Sequence, residues 1–191
     1  MVTIEDPVEY QIPGVNQVQA NPGVGLTFAS ALRSFLRQDP NIIMVGEIRD
    51  TETADLAIQA ALTGHQVFST IHTNSAAGSP PRLLDMGVEP FLLTSALNAV
   101  IGQRVVRKLC QRCKADYDAP PEVRENIKQV LGKILPVSLT AGNIKLYQGA
   151  GCSFCGNTGY LGRMGVYEVL VITDAIAKLI LEHSSSGAIE E

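Results

Sequence analysis

The sequence predicts an α/β fold, a parallel sheet with crossover helices, followed by a smaller carboxy-terminal domain that carries the cysteines. Three observations lead there. Short apolar runs alternate with helix-spaced segments over the first hundred positions. Three of the strand candidates end in polar, chemically capable residues. All four cysteines fall into two Cys-x2-Cys pairs after position 109.

Val2 to Ile4 is a short strand candidate that stops at Glu5-Asp6-Pro7. From Thr27 to Arg37, the apolar positions Phe28, Ala31, Leu32, Phe35 and Leu36 have helical spacing. Asp39-Pro40 ends that helix, because a residue before proline avoids the helical region. Ile42 to Val45 is a continuous apolar run, the pattern of a strand buried on both faces of a parallel sheet. Asp50 reads as an N-cap with Glu52 in the first turn. The helix continues through Leu56, Ala57, Ala60 and Ala61 to Gly64, a carboxy-terminal stop. Gln66 to Ile71 is the next strand, ending at His72, and helical signals follow at about 82–86 and 91–101. Strand, helix, strand in this rhythm specifies parallel pairing with crossovers.

Composition narrows the class. The chain has 191 residues, 46% of them apolar, enough for one sizeable core and a second small one. No apolar run approaches the roughly 18 residues of a membrane span. The net charge of −4 argues against generic nucleic-acid binding. The charge is uneven: residues 1–103 balance at −6, 104–133 at +4 and 134–191 at −2. The change of sign near Arg104 coincides with a change to cysteines, Pro120-Pro121 and looser segments, which places the boundary between domains 1–104 and 105–191.

In an open parallel sheet, ligands bind outside the carboxyl ends of the strands. Here those ends carry Glu5-Asp6, Glu47 with Arg49, and His72-Thr73-Asn74. An apolar strand ending in an acid beside a helix start is a Walker-B-like arrangement, in which the acid orients water or polarises it at a metal-bound phosphate. Arg49 is placed to neutralise phosphate charge. His72 is placed to hydrogen-bond a terminal phosphate. Each residue also has an ordinary reading. Glu47 fits a solvated or capping acid, His72 a surface or packing histidine, and Glu5-Asp6-Pro7 a turn.

Residues 3–10 (TIEDPVEY) resemble the Asp box of the type II secretion and type IV pilus motor ATPases. Leu32-Arg33 to Asp39-Pro40, then Ile42 to Asp50, resemble their arginine-bearing helix and atypical Walker B. Thr63-Gly64-His65 through Asn74 resembles their His box, and segments 81–88 and 103–110 fit the same family in the same order. The resemblance implies a partial RecA-like P-loop NTPase core in a cytoplasmic homo-hexamer. That hexamer works at the cytoplasmic face of the inner membrane with the secretion platform proteins; the acidic composition, separately, argues against a nucleic-acid partner. The resemblance implies ATP and Mg2+ for the intact protein.

The resemblance also implies roles. Glu47 matches the Walker B glutamate that acts on the hydrolytic water or the magnesium. Glu5 matches the Asp-box acid proposed as a general base, with Asp6 beside the metal. His72 matches the sensor of the terminal phosphate. Arg33, Arg37 and Arg49 match basic positions of the nucleotide-binding motor. His65 precedes its strand, so packing fits it better than ligand contact. Gly46 stands where ordinary Walker B motifs often carry Asp.

No G-x-x-x-x-G-K-[ST] occurs in the sequence; Gly23-Val24-Gly25 is followed by Leu26-Thr27, with no lysine. That loop's backbone N–H groups and lysine normally cradle the phosphates. In the resembled family it lies upstream of the Asp box. The chain is therefore expected to be a fragment that does not by itself hydrolyse ATP at a motor-like rate. A zinc-stabilised interaction or scaffold domain without nucleotide chemistry is the alternative.

Cys110-x2-Cys113 and Cys152-x2-Cys155 are separated by residues 114–151. Two such hooks place four thiolates around a structural Zn2+. Lys108, Arg112 and Lys114 flank the first hook and would favour thiolates. Redox disulfides and a nucleic-acid-binding zinc ribbon are the competing readings. The first calls for a thioredoxin-like context, and the second fits poorly with the overall acidity. The long gap calls for an element of its own, a helix near 121–133. The resembled secretion and extension motors carry a tetracysteine zinc site in this carboxy-terminal place. Gly159 to Leu170 reads as a turn leading into a strand. Thr173 starts a last helix with Ile176, Leu179 and Ile180 on one face.

Overall fold

A computed structural model describes residues 1–135 and 144–191. The chain divides into two compact units, 1–102 with 167–191, and 103–166.

The first unit is built on a parallel sheet of order β2-β1-β3-β4. Its strands are β1 (Val2–Glu5), β2 (Asn16–Gln19), β3 (Ile42–Val45) and β4 (Gln66–Ser69). Register is set by pairs such as Ile4 with Val45 and Val45 with Ser69, so β1, β3 and β4 end side by side. Helix α1 (Phe28–Phe35) joins β2 to β3, and α2 (Thr51–Leu62) joins β3 to β4. Thr27 starts α1 with a capping box shared with Ser30, satisfying donors that a helix start leaves open. Asp50 caps α2 by accepting the Thr53 N–H at 2.8 Å. After α2 the chain reverses at Gly64, whose φ of +96° is left-handed and disfavours any side chain.

One core lies between the sheet and α1, with Val2, Ile4, Leu32, Phe35, Ile43 and Val45 buried together. A second gathers Ala54 and Ile58 of α2 with Leu83 of α3 (Ser79–Asp85), Leu93 of α4 (Pro90–Ala96), Ile180 of α6 (Asp174–Leu181) and Ile189 of α7 (Ser186–Glu190). Leu32 is fully buried, so Leu32→Ala is expected to destabilise the protein by about 2–5 kcal/mol. Urea unfolding followed by far-UV circular dichroism reads this; an unchanged midpoint would show that the α1 face does not hold the sheet.

The structure corrects the sequence reading in several places. The sequence assigns 105–191 to one domain, whereas 167–191 returns to the first unit. The cause is burial: Ile180 and Ile189 are apolar anchors whose partners lie a hundred residues earlier. The 42–45 strand is fully buried on the Ile43 and Val45 face and half-buried at Ile42 and Met44. Strand β2, NQVQ, carries too few apolar residues to signal itself and is made by pairing with β1. The helix expected over 91–101 ends at Ala96, and Ala99 begins a strand.

The second unit holds β6 (Lys114–Tyr117), α5 (Pro121–Leu131) and β7 (Leu146–Gly149), with β6 and β7 antiparallel. The long strands β5 (Ala99–Leu109) and β8 (Tyr160–Val171) pair with each other, and each runs from one unit into the other. Helix α5 fills the expected place between the cysteine pairs.

Candidate functional site

The carboxyl ends of β1, β3 and β4 form one rim. Glu5 is the last residue of β1, and Gly46 follows β3 so closely that its N–H donates to the Ile4 carbonyl at 2.7 Å. A Cβ on Gly46 would stand 3.1 Å from the Ile4 carbonyl oxygen and 3.3 Å from the Glu5 Cα. A side chain at this position, such as the Asp of an ordinary Walker B, would crowd the backbone of β1. On the other side, Thr70 Oγ1 donates to the Gly46 carbonyl at 2.7 Å, and the Ile48 N–H donates to the Thr70 carbonyl at 2.9 Å. The Glu47 loop is therefore pinned from both neighbouring strands.

Glu47 is largely buried, its side chain 12% exposed. Its Oε2 accepts Arg49 Nε at 2.5 Å, and His72 Nε2 stands 3.4 Å from the same oxygen. Arg49 and His72 both stand against Oε2, and the second oxygen of a carboxylate keeps its own capacity to accept. Glu5 Oε1 accepts Thr3 Oγ1 at 2.7 Å and Gln17 Nε2 at 2.9 Å. These bonds orient the Glu5 carboxylate on the strand next to Glu47. Thus Glu5, Glu47, Arg49 and His72 share one edge.

Asp6 lies beside it, in a hollow of about 190 Å3 lined also by Thr27, Phe28, Asp50, Glu52 and Thr53. Arg33 reaches this region through an ion pair with Glu52. Arg37, two residues past the end of α1, donates to Ser34 Oγ at 3.4 Å. His72 borders a second, more open hollow of about 420 Å3 with Asn74, Ser75 and Arg82. Sequence reasoning had no signal for Gln17 as a site neighbour, because it arrives from a strand edge with no motif of its own; Thr70 and Arg82 fell within the segments 63–74 and 81–88 but were given no role there. His65 packs as expected, with Nδ1 3.0 Å from the Ala60 carbonyl oxygen.

In the second unit the four cysteine sulfurs lie within 4.8 Å of one another. Adjacent Sγ atoms are 3.9 Å apart for Cys110–Cys152, 3.8 Å for Cys113–Cys155 and 3.7 Å for Cys152–Cys155. A tetrahedral Zn2+ with bonds of about 2.3 Å has sulfur–sulfur edges of about 3.8 Å, so the donor set fits that ion.

Burial pushes the Cys113 thiol up to about 12, together with the neighbouring thiols and against a bond from the Gly151 backbone. Burial works the same way on Cys155. There it is outweighed by N–H groups of Cys152 and Gly159 and by the Cys152 and Cys113 thiols, which bring Cys155 down to about 6. The flanking cations act differently from the sequence expectation. Arg112 lies over the Phe154 ring at 3.7 Å and Lys114 over Tyr147 at 3.8 Å. The residues between the two hooks' cysteines thus clasp each other, a cation–π contact, and backbone N–H groups lower the thiol.

The family model described as "Type II/IV secretion system protein" matches residues 1–191. The chain is 52% identical over 189 residues to a type IV pilus assembly ATPase PilB of Thermus thermophilus, spanning 99% of this chain and 20% of that protein. It is 49% identical over 187 residues to a type II secretion system ATPase E of Vibrio cholerae, spanning 98% of this chain and 35% of that protein. Among solved structures, the pilus retraction motor PilT with bound ADP superposes with a TM-score of 0.61 and 31% identity, over 95% of this chain and 41% of that one. The chain thus spans between a fifth and about a third of the length of these curated relatives.

Proposed function

The chain belongs to the type II/IV secretion system protein family, and on that footing we propose that it supplies the hydrolytic rim of an ATP-driven motor for secretion or pilus assembly. The observation that carries this reading is the convergence on Glu47: Arg49 and His72 meet its Oε2 while Glu5 ends the adjacent strand. Glu47 accepts a proton from the attacking water or holds it in line. Glu5 is the second acid, oriented by Thr3 and Gln17. His72 donates to the terminal phosphate, and Arg49 and Arg33 offset phosphate charge. Mg2+, held by Asp6 with Glu47, would neutralise the phosphates when bound. Arg37, two residues past α1, is a further basic group for the nucleotide.

In the same proposal, Cys110, Cys113, Cys152 and Cys155 hold a structural Zn2+ with no open position. The working form is a homo-hexamer at the cytoplasmic face of the inner membrane, engaging platform proteins. Among the described residues no helix is long and apolar enough to cross a membrane.

The test is phosphate release by the full-length protein with Mg2+ and with EDTA. Magnesium-dependent turnover is expected. A folded full-length protein that binds no nucleotide would instead favour a zinc-stabilised scaffold.

A further inference from the structure

We propose that Glu168 is a positioning residue for the His72 side of the rim, an inference that rests on the reading above and deepens it. The segment after His72 turns through residues 75–78 into α3. Its bonds are mostly internal: Thr73 Oγ1 donates to the Ser75 carbonyl at 3.0 Å, the Gly78 N–H to the same carbonyl at 3.2 Å, and the Ser79 N–H to the Ala76 carbonyl at 3.1 Å. These bonds hold the turn's own shape, and Ala77 packs it into the second core. Glu168, on β8, supplies a tie from another element: its Oε2 accepts the Ala76 N–H at 3.0 Å.

Two features make this tie specific. Ala76 is fully buried, so its N–H depends on a protein acceptor. A carboxylate is a stronger acceptor for it than a neutral oxygen. Gly102 on β5 also leaves the space the carboxylate occupies: a Cβ there would stand 2.9 Å from Glu168 Oε2 and 3.2 Å from the Ala76 nitrogen. An added methyl group would drive the flexible carboxylate off the N–H. Ala76 lies four residues beyond His72, so the bond sets where the loop bearing the imidazole sits relative to Glu47. Glu168 touches neither substrate nor reacting atoms in this scheme; it acts through the loop.

The test is made in the full-length protein with Glu168→Ala, Glu168→Gln and Gly102→Ala. Hydrogen exchange is read at Ala76 and, as internal controls, at Ile4 and Ile43; turnover is measured alongside. Glu168→Ala and Gly102→Ala should speed exchange at Ala76 and leave both controls unchanged. They should also lower kcat by about 10- to 100-fold, the cost of a small misplacement, with KM little altered. Glu168→Gln keeps an acceptor oxygen and should restore most of both readouts.

Unchanged Ala76 exchange in Glu168→Ala overturns the proposal. So does equal acceleration at Ile4 and Ile43, or a Gln variant as damaged as the Ala variant. The exchange readout needs no hydrolysis. If Glu47→Gln leaves turnover intact, the functional reading fails while the result at Ala76 still decides the tie.

Discussion

Glu47→Gln, in the full-length protein, is expected to cut ATP turnover about 10²- to 10⁴-fold, the range for losing a positioned general base. Nucleotide binding should survive within a few-fold, because an amide preserves the shape of the side chain but not its basicity or charge. Glu47 is largely buried, its side chain 12% exposed, and is held from two sides. The substitution also removes the charge partner of Arg49, so Arg49→Ala is measured beside it: it breaks the same ion pair and removes a phosphate-facing cation but leaves the carboxylate. If hydrolysis depends on the carboxylate, Glu47→Gln falls well below Arg49→Ala. Steady-state phosphate release and a fluorescent-nucleotide titration measure both quantities. Near-normal turnover in Glu47→Gln would remove it from the catalytic role.

The second large effect is expected at the cysteines. Within 103–166 the described buried core amounts to Cys110, Ala119, Leu135, Ile144 and Cys155. Helix α5 buries none of its side chains. A unit with so little apolar burial needs another source of stability. Structural zinc supplies apparent binding energies of about 10–16 kcal/mol in small peptides at neutral pH.

The purified protein should therefore carry one Zn2+ per chain. Cys113→Ser or prolonged chelation should unfold the β6–β7 region while the 1–102 sheet persists. Metal analysis and amide spectra resolve the two units separately. A metal-free protein with native β6–β7 amides would refute the site.

The pH dependence has a definite sign. Without metal, Cys155 is a thiolate above about 6, while Cys113 holds its proton up to about 12. Zinc binds thiolates, so loading must release protons. Affinity should fall as pH drops from 8 to 6, and proton release should appear in calorimetry in buffers of different ionisation enthalpy.

Several features were legible in the sequence for physical reasons. The Ile42–Val45 run, the Asp50 cap and the Thr27–Phe35 periodicity are local signals, and local signals survive folding when burial agrees with them. The cysteine hooks were legible because tight spacing with thiol chemistry admits few arrangements. The three polar strand ends were legible individually, and the parallel rhythm implied that they lie along one rim.

The sequence by itself determined the main strand–helix–strand rhythm of the first unit, the chemistry offered at each strand end and the grouping of the four cysteines into two hooks. These follow from hydrophobic period, capping and side-chain donors, which act within a few residues. The tertiary structure alone decided the rest. It placed Arg49 and His72 on one Glu47 oxygen, turned Arg112 and Lys114 onto aromatic rings and returned residues 167–191 to the first unit. Each of these depends on contacts between segments far apart in the chain. Their geometry is set by how strands register and how buried faces close on one another, which no local pattern encodes.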